Sequence, residues 1–283
     1  MPSSPGIRRV VLVVLDGLRA DAVQTLGLRC WQQLANRGAS SLCGTTVMPS
    51  VTAAAMASLL TGVPPEVHGL RSDSFRLPRL RGPLHPLPRV LSAADLPTSS
   101  FVRRLPWTFR GLGKRIARHL GVNNPCFAGR SCREILFAAW DQLATQENGL
   151  IFLHWPDADL AGHQYGWMSA EYIRAAQRLD QALGLLAALA DIERDPGTLL
   201  IALADHGGGG ADPRDHDSDH PLDRTIPLLL AGAAVTGEEL AEPTLLDVPA
   251  TVLWALGVPL PDSYVGRPLY EAFTPMTLAV AHG

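Results

Sequence analysis

Residues 10–16 read Val10-Val11-Leu12-Val13-Val14-Leu15-Asp16, six consecutive apolar residues followed by one carboxylate. A short run rich in valine, without polar alternation, is typical of a strand buried on both faces of a parallel sheet. The run is too short to be a signal-peptide core or a membrane span. It therefore predicts a central strand with Asp16 at its carboxyl end, the edge where open α/β sheets form their functional sites.

Two more apolar runs lead to polar side chains in the same way. Each is followed by an Asp and a His, the run 149–155 by Asp159 and His163 and the run 198–204 by Asp205 and His206. Helical patterns alternate with strand patterns along the whole chain. The sequence therefore predicts an α/β/α sandwich with a mostly parallel central sheet.

The chain shows no linker and no internal repeat. Its 283 residues are 47% hydrophobic, enough for one large α/β core, and we expect residues 1–283 to form a single domain. Between about residues 72 and 133 the sequence changes, because prolines interrupt it and arginines are scattered through it. We expect this region to be a lid or insertion over the sheet.

Composition excludes some classes of function. The formal net charge is −3, which does not suggest nucleic-acid binding. The basic residues between Arg71 and Arg133 fit either a solvated face or a surface that binds polyanions. No stretch is long enough to span a membrane, and the four cysteines have no metal-binding spacing. We therefore expect no membrane segment, ordinary thiols and a cytoplasmic location.

A hydroxyl-bearing segment precedes an alanine-rich run. Residues 53–60 are strong helix formers, and Pro49, Ser50 and Thr52 stand at their start. A helix start presents unpaired N–H groups and a positive dipole end, which bind phosphate or sulfate and favour an ionised hydroxyl. Alternatively, Ser50 or Thr52 only caps the helix.

The acidic and imidazole side chains together predict a metal site. Asp and His ligands without cysteine favour zinc and permit manganese or iron. Six such groups and one hydroxyl suffice for two divalent ions and a nucleophile. The six groups are Asp16, Asp159, His163, Asp205, His206 and His216. Three nearby residues are competitors: Asp157 for Asp159, His220 for His216, and His154, which we expect to pack within its strand.

Four ordered blocks and a tail give the sequence a family resemblance. The blocks are residues 14–19, residues 49–69, residues 159–166, and Asp205-His206-Gly207 with His216 and Ile226-Pro227, and the tail runs from 246 to 269. Together they resemble the alkaline phosphatase superfamily, most closely its nucleotide pyrophosphatase/phosphodiesterase branch. The resemblance covers most of the chain and implies an alkaline-phosphatase-like fold.

The resemblance also implies a role for each site residue. Thr52 takes the nucleophile position. Asp16, Thr52, Asp205 and His206 bind one metal ion, and Asp159, His163 and His216 bind the second. The implied activity is metal-dependent hydrolysis of a small-molecule phosphate ester, with phosphodiesters and nucleotide pyrophosphates first.

One departure from the family pattern leaves the reaction open. The phosphodiesterase branch has an asparagine three residues after the nucleophile that holds a phosphate oxygen, and here that residue is Ala55. A phosphomonoesterase, a phosphonate hydrolase or a sulfatase with the same site are alternatives, although residues 53–56 do not match the sulfatase run. A phosphomutase is disfavoured because the chain has no room for a large inserted domain. A non-catalytic binding protein of the same fold is a lesser alternative.

Overall fold

The central element of the fold is a seven-stranded sheet. In the computed structural model, residues 3–72, 83–237 and 239–273 are described. The strands are β1 (Arg9–Leu15), β2 (Ala39–Thr45), β3 (Thr98–Val102), β4 (Asn124–Phe127), β5 (Gly149–Trp155), β6 (Thr198–Leu203) and β7 (Thr225–Ala231). Every residue of β1 is buried, as its uninterrupted apolar sequence predicts.

The strand order is β2-β7-β6-β1-β5-β3-β4. The five strands from β6 to β4 are parallel, whereas β7 runs antiparallel to both β6 and β2. The prediction of a mostly parallel sheet is therefore confirmed. Because β6, β1 and β5 are adjacent, their carboxyl ends meet at one place on the sheet edge.

Helices cover both faces of the sheet. They are α1 (Ala20–Thr25), α2 (Arg29–Ala35), α3 (Thr52–Thr61), α4 (Pro65–His68), α5 (Leu87–Ala93), α6 (Trp107–His119), α7 (Cys132–Thr145), α8 (Asp157–Tyr165), α9 (Ala170–Leu189), α10 (Pro221–Arg224) and α11 (Asp247–Ala255). Helices α2, α7 and α8 pack on α9, and α3, α5 and α11 pack on one another. Among the described helices, none is both long enough and apolar enough to cross a bilayer.

The region predicted to be a lid contributes to the sheet itself. Within residues 72–133, β3 pairs with β5 and with the edge strand β4. Pro97 directly precedes β3, and Pro125 lies within β4. The lid over the sheet stays a prediction. Helices α5 and α6 of this region lie outside the sheet, and residues 73–82 are outside the described residues. The assignment of residues 1–283 to one domain stays a prediction.

Candidate metal and phosphoester site

Three polar segments meet beyond the carboxyl ends of β1, β5 and β6. Asp16 directly follows β1, and Asp205 and His206 follow β6 after Ala204. Helix α8 follows β5 and carries Asp159 and His163. The sequence predicted a strand-end loop for these two residues, and that detail is wrong. A helix instead places the i and i+4 side chains on one face, with Asp159 Oδ1 and His163 Nε2 3.3 Å apart.

Gly17 allows the end of β1 to lie directly against α8. Its φ is +71°, and a Cβ atom there would lie 2.8 Å from the Cα of Asp159. The N–H of Asp159 donates to the carbonyl of Asp16 at 3.0 Å. The Gly17 carbonyl in turn accepts from the indole of Trp167 at 2.9 Å and the hydroxyl of Tyr172 at 3.1 Å. The backbone at residues 16–17 is thus fixed from two sides, and only glycine fits there.

One group of side chains surrounds the imidazole of His206. Its Nε2 lies 3.1 Å from Thr52 Oγ1, 3.3 Å from Asp16 Oδ1 and 3.7 Å from Asp205 Oδ2. Asp16, Asp205 and His206 are all buried. These are the four residues that the resemblance assigns to the first metal.

A second group lies beside the first. His216 Nε2 lies 3.1 Å from His163 Nε2 and 3.6 Å from Asp159 Oδ1. The rings of His206 and His216 stack, with centroids 3.7 Å apart and an interplanar angle of 8°. The two groups therefore share one wall, and together they contain all seven predicted site residues.

Backbone carbonyls fix the orientation of all three imidazoles. The Nδ1–H groups donate to carbonyl oxygens, His206 to Gly207 at 2.9 Å, His163 to Arg214 at 2.8 Å and His216 to Ser50 at 2.7 Å. A carbonyl only accepts, so Nδ1 carries a proton, and Nε2 is the nitrogen that can offer a lone pair to the site when the ring is neutral. Metal-binding histidines are held in this way.

The buried carboxylates also fit metal ions. Among the described residues, Asp16 Oδ1, Asp159 Oδ1 and Asp205 Oδ2 are buried without a hydrogen-bond partner. Buried oxygen atoms without partners are costly unless a cation is present. Bonds of about 2.0–2.1 Å place neighbouring tetrahedral ligands about 3.3–3.4 Å apart. The separations of 3.1–3.7 Å listed above are close to that value.

The same crowding shifts the pKa values. Burial, followed by repulsion from Asp205 and Asp159, raises the pKa of Asp16 well above its usual range. Burial opposes protonation of His206, but attraction to Asp205 and Asp16 outweighs it and raises the pKa to about 10. The Asp159 carboxylate, with Oδ1 3.3 Å from Nε2, raises the pKa of His163 to about 9. The site therefore favours added positive charge, whether from protons or from metal ions.

The structure separates the predicted ligands from two of their competitors. The carboxylate of Asp157 accepts from the N–H of Cys132 at 2.7 Å, at the start of α7, so it is committed there. The Nδ1 of His220 accepts from the N–H of Leu222 at 3.1 Å, which caps α10. Neither side chain joins the two groups described above.

The third competitor reaches the site, contrary to the expectation that it packs within its strand. His154 lies in β5, and its buried Nε2 is 3.4 Å from Asp16 Oδ2. Within the described chain this nitrogen has no hydrogen-bond partner. The available signal was that His154 is the one ionisable residue in the otherwise apolar strand 149–155.

Thr52 is the first residue of α3 and not its cap. Val51 holds the N-cap position and makes no side-chain capping bond. The hydroxyl of Ser50 instead donates to the carbonyl of His216. The cap alternative therefore fails for both hydroxyls, and Thr52 Oγ1 faces His206 at the positive end of the helix. Ala55 is fully buried beneath this turn.

Two family profiles match long segments of this chain. The profile described as "Metalloenzyme superfamily" matches residues 116–260, just over half of the chain, and the chain belongs to that superfamily. The profile described as "Type I phosphodiesterase / nucleotide pyrophosphatase" matches residues 10–86. These matches confirm the predicted resemblance to the alkaline phosphatase superfamily and its nucleotide pyrophosphatase/phosphodiesterase-like branch.

Curated relatives match parts of the chain. A 2,3-bisphosphoglycerate-independent phosphoglycerate mutase from Synechococcus sp. is 32% identical over 160 residues, which are 50% of this chain and 28% of that protein. Ectonucleotide pyrophosphatase/phosphodiesterase family member 1 from Mus musculus is 26% identical over 214 residues, 70% of this chain and 24% of that protein. The chain thus spans about a quarter of the length of these relatives.

Solved structures show the same fold at low sequence identity. Murine ectonucleotide pyrophosphatase/phosphodiesterase 5 superposes with a TM-score of 0.70 at 14% identity, covering 89% of this chain and 96% of that one. A 2-O GAG sulfatase superposes with a TM-score of 0.72 at 12% identity, covering 95% of this chain and 75% of that one. Both confirm the predicted alkaline-phosphatase-like α/β fold.

Proposed function

We propose that this protein is a metal-dependent phosphoric ester hydrolase that acts on phosphodiesters or nucleotide pyrophosphates, with Thr52 as nucleophile. The observation that carries the proposal is the placement of Thr52 Oγ1. It lies 3.1 Å from His206 Nε2, at the start of α3 and beside two groups of inward-facing ligands. A hydroxyl in this position does not cap the helix, and it lies among polar side chains that can bind a cation.

Two divalent ions, of which zinc fits the Asp and His ligands best, are the proposed cofactors. Asp16, Thr52, Asp205 and His206 would hold one ion, and Asp159, His163 and His216 the other. When bound, the ions supply Lewis-acid stabilisation of developing negative charge and lower the pKa of the attacking hydroxyl.

The residues of the chain position and stabilise the reacting groups. The start of α3 directs backbone N–H groups and the helix dipole towards a bound anion. Thr52 Oγ1 attacks phosphorus, the ester oxygen leaves, and water then releases the phosphoryl group from Thr52. Because Ala55 has no polar side chain, the anion relies on backbone N–H groups and metal ions rather than on an asparagine.

The type I phosphodiesterase profile and the nucleotide pyrophosphatase/phosphodiesterase relative support the phosphodiester assignment, whereas the other matches set the alternatives. The type I phosphodiesterase profile covers residues 10–86, the segment that contains Thr52. Phosphomonoesters, phosphonates and sulfate esters are the competing substrate classes, and a sulfatase is among the structural neighbours. A threonine nucleophile without the sulfatase run at residues 53–56 favours phosphorus over sulfur.

Side-by-side turnover tests the substrate class. Zinc-loaded protein is assayed on bis-nitrophenyl phosphate, nitrophenyl phosphate, nitrophenyl phosphonate and nitrophenyl sulfate. The proposal expects the highest kcat/KM on the diester, and its loss in Thr52→Ala. A preference for the monoester or the sulfate contradicts the substrate assignment. Equal activity of Thr52→Ala contradicts the assigned nucleophile.

We also include His154 in the proposed site, as a positioning residue for Asp16. Its Nε2 faces the Asp16 oxygen that points away from His206. From this position the ring can orient the carboxylate that belongs to the first metal group.

A cytoplasmic location stays a prediction.

A further inference from the structure

Helix α6 forms an exposed surface that the proposed active site does not use. None of its thirteen residues is buried. It approaches the sheet at Gly113, where a Cβ would lie 3.2 Å from the ring of Phe127 in β4. The helix therefore rests on edge strand β4 while most of its circumference faces solvent.

Large apolar side chains line one exposed side of α6. Phe109, Leu112 and Ile116 follow the i, i+3, i+7 spacing of a single stripe and are 58%, 55% and 51% exposed. Trp107, at the start of the helix, is 81% exposed. Isolated apolar residues on a surface are ordinary, but four on one thirteen-residue helix are not.

Positive charge is concentrated in the same part of the sequence. Between residues 96 and 133 the sequence contains eight Arg or Lys residues and no Asp or Glu: Arg103, Arg104, Arg110, Lys114, Arg115, Arg118, Arg130 and Arg133. The whole chain carries 24 basic against 27 acidic residues, so the rest of the molecule is strongly negative. Positive charge is therefore concentrated in the stretch of sequence that contains α6.

We propose that α6 is a peripheral docking surface for the headgroup region of an anionic lipid bilayer. A helix with an exposed apolar stripe and adjacent Lys and Arg lies in the plane of such an interface, its apolar side chains among the acyl chains and its cations on the phosphates. Trp107 has the amphipathic ring that favours this depth. The binding of this surface to a bilayer does not depend on which substrate the active site turns over.

Other occupants fit the surface less well. A two-fold contact between copies of this chain would place like charges opposite one another, because such a contact is self-complementary. Nucleic acid would pair with the arginines but leave the apolar stripe in water or against phosphate. An anionic bilayer satisfies both features at once.

Vesicle co-sedimentation of the full chain tests the proposal. Vesicles of phosphatidylcholine and phosphatidylglycerol in equal parts are expected to bind the protein, and pure phosphatidylcholine vesicles are not. Binding should weaken as salt rises. The paired variants Leu112→Ser/Ile116→Ser and Arg115→Glu/Arg118→Glu should each reduce binding by at least about tenfold.

Matched controls separate this surface from general stickiness. Phe137 is 79% exposed on α7, and Arg194 is exposed in a loop, so Phe137→Ser and Arg194→Glu should bind like the parent. Fluorescence quenching by brominated lipid in the anionic vesicles should be lost in Trp107→Phe but kept in Trp140→Phe, whose side chain is also exposed. Circular dichroism melting confirms that each variant is folded.

Several results would overturn the proposal. They are no sedimentation with anionic vesicles, equal sedimentation with neutral vesicles, or unchanged binding in both paired variants. A duplex oligonucleotide that binds more tightly than the vesicles would assign the surface to nucleic acid. Dimerisation that the same paired variants abolish would assign it to a second copy.

Discussion

Thr52 is placed for attack by the residues on either side of it. Ser50 ties the preceding turn to His216 through its hydroxyl and its carbonyl, and Val51 leaves the helix start uncapped by a side chain. We expect Thr52→Ala to lower kcat on bis-nitrophenyl phosphate by about a thousandfold or more, since it removes the nucleophile. Thr52→Ser is the control and should keep measurable turnover. Similar rates for all three proteins would refute the assignment.

His154 and His220 give a paired test of metal binding. We expect His154→Ala to weaken the affinity for the first metal by about ten- to a hundredfold, because Asp16 loses the ring that orients it. His220→Ala should leave both affinities unchanged, since its ring caps α10. Calorimetric titration of chelator-stripped protein with Zn²⁺ measures both. Weaker zinc binding in His220→Ala, with unchanged zinc binding in His154→Ala, would assign the metal-ligand role to His220 instead of His216.

Among the elements of the fold, the close contact between the end of β1 and helix α8 holds the site together. Gly17 and Gly27 both have positive φ, +71° and +59°, but a Cβ at Gly27 meets nothing within 4 Å. Gly27→Ala should therefore cost only about 1–2 kcal/mol of backbone strain. Gly17→Ala adds a backbone clash with Asp159, so it should destabilise the fold further and weaken metal binding. Equal effects in denaturant unfolding and metal titration would contradict this role of Gly17.

Some elements were predictable from the sequence and others were not. The strands that end at Asp16 and lead to Asp159 and Asp205 were predicted because uninterrupted apolar runs mark buried strands. The antiparallel direction of β7 was not, since an apolar run carries no sign of direction. Helix α8 was missed because its short sequence, interrupted by Gly162, has a weak apolar period. Helix α6 was missed because it buries no side chain.

The residues of the site were likewise predictable from the sequence only in part. Residue types and order, read with the family resemblance, predicted seven of the residues that the structure brings together. The eighth, His154, was expected to pack within its strand. The approach of His154 depends on the register of β5 against β1, where it pairs with Val14, and no local pattern reports that register. The commitment of Asp157 to α7 likewise depends on tertiary contact.

For the whole molecule, the raised pKa values predict a pH dependence of metal binding. The pKa values of His163 and His206 are about 9 and about 10, so at pH 7 each of these imidazoles carries its second proton in the metal-free protein. Metal ions must displace these two protons. The affinity for metal should therefore rise by up to tenfold per pH unit for each displaced proton, until about pH 9–10. Titration in buffers of different ionisation enthalpy should show release of about two protons per chain. Release of none at pH 7 would contradict the assigned charges.

The same shifts affect the stability of the metal-free protein. A histidine whose folded pKa is raised stabilises the fold below its unfolded pKa of about 6.5, and the contribution is lost as pH rises through 9–10. The melting temperature of metal-free protein should therefore fall from pH 6.5 to pH 10. Zinc-loaded protein should fall less, because the ions replace the lost positive charge. An equal fall in melting temperature between pH 6.5 and pH 10 for the metal-free and the zinc-loaded protein would contradict this prediction.

Seven side chains at one sheet edge form the proposed site for two metal ions. Its most direct test is the number of zinc ions bound by chelator-stripped protein after titration and removal of free metal. We predict two ions per chain in the parent protein and one in the double variant His163→Ala/His216→Ala, whose first ligand group is intact. Fewer than two ions in the folded parent would contradict the claim.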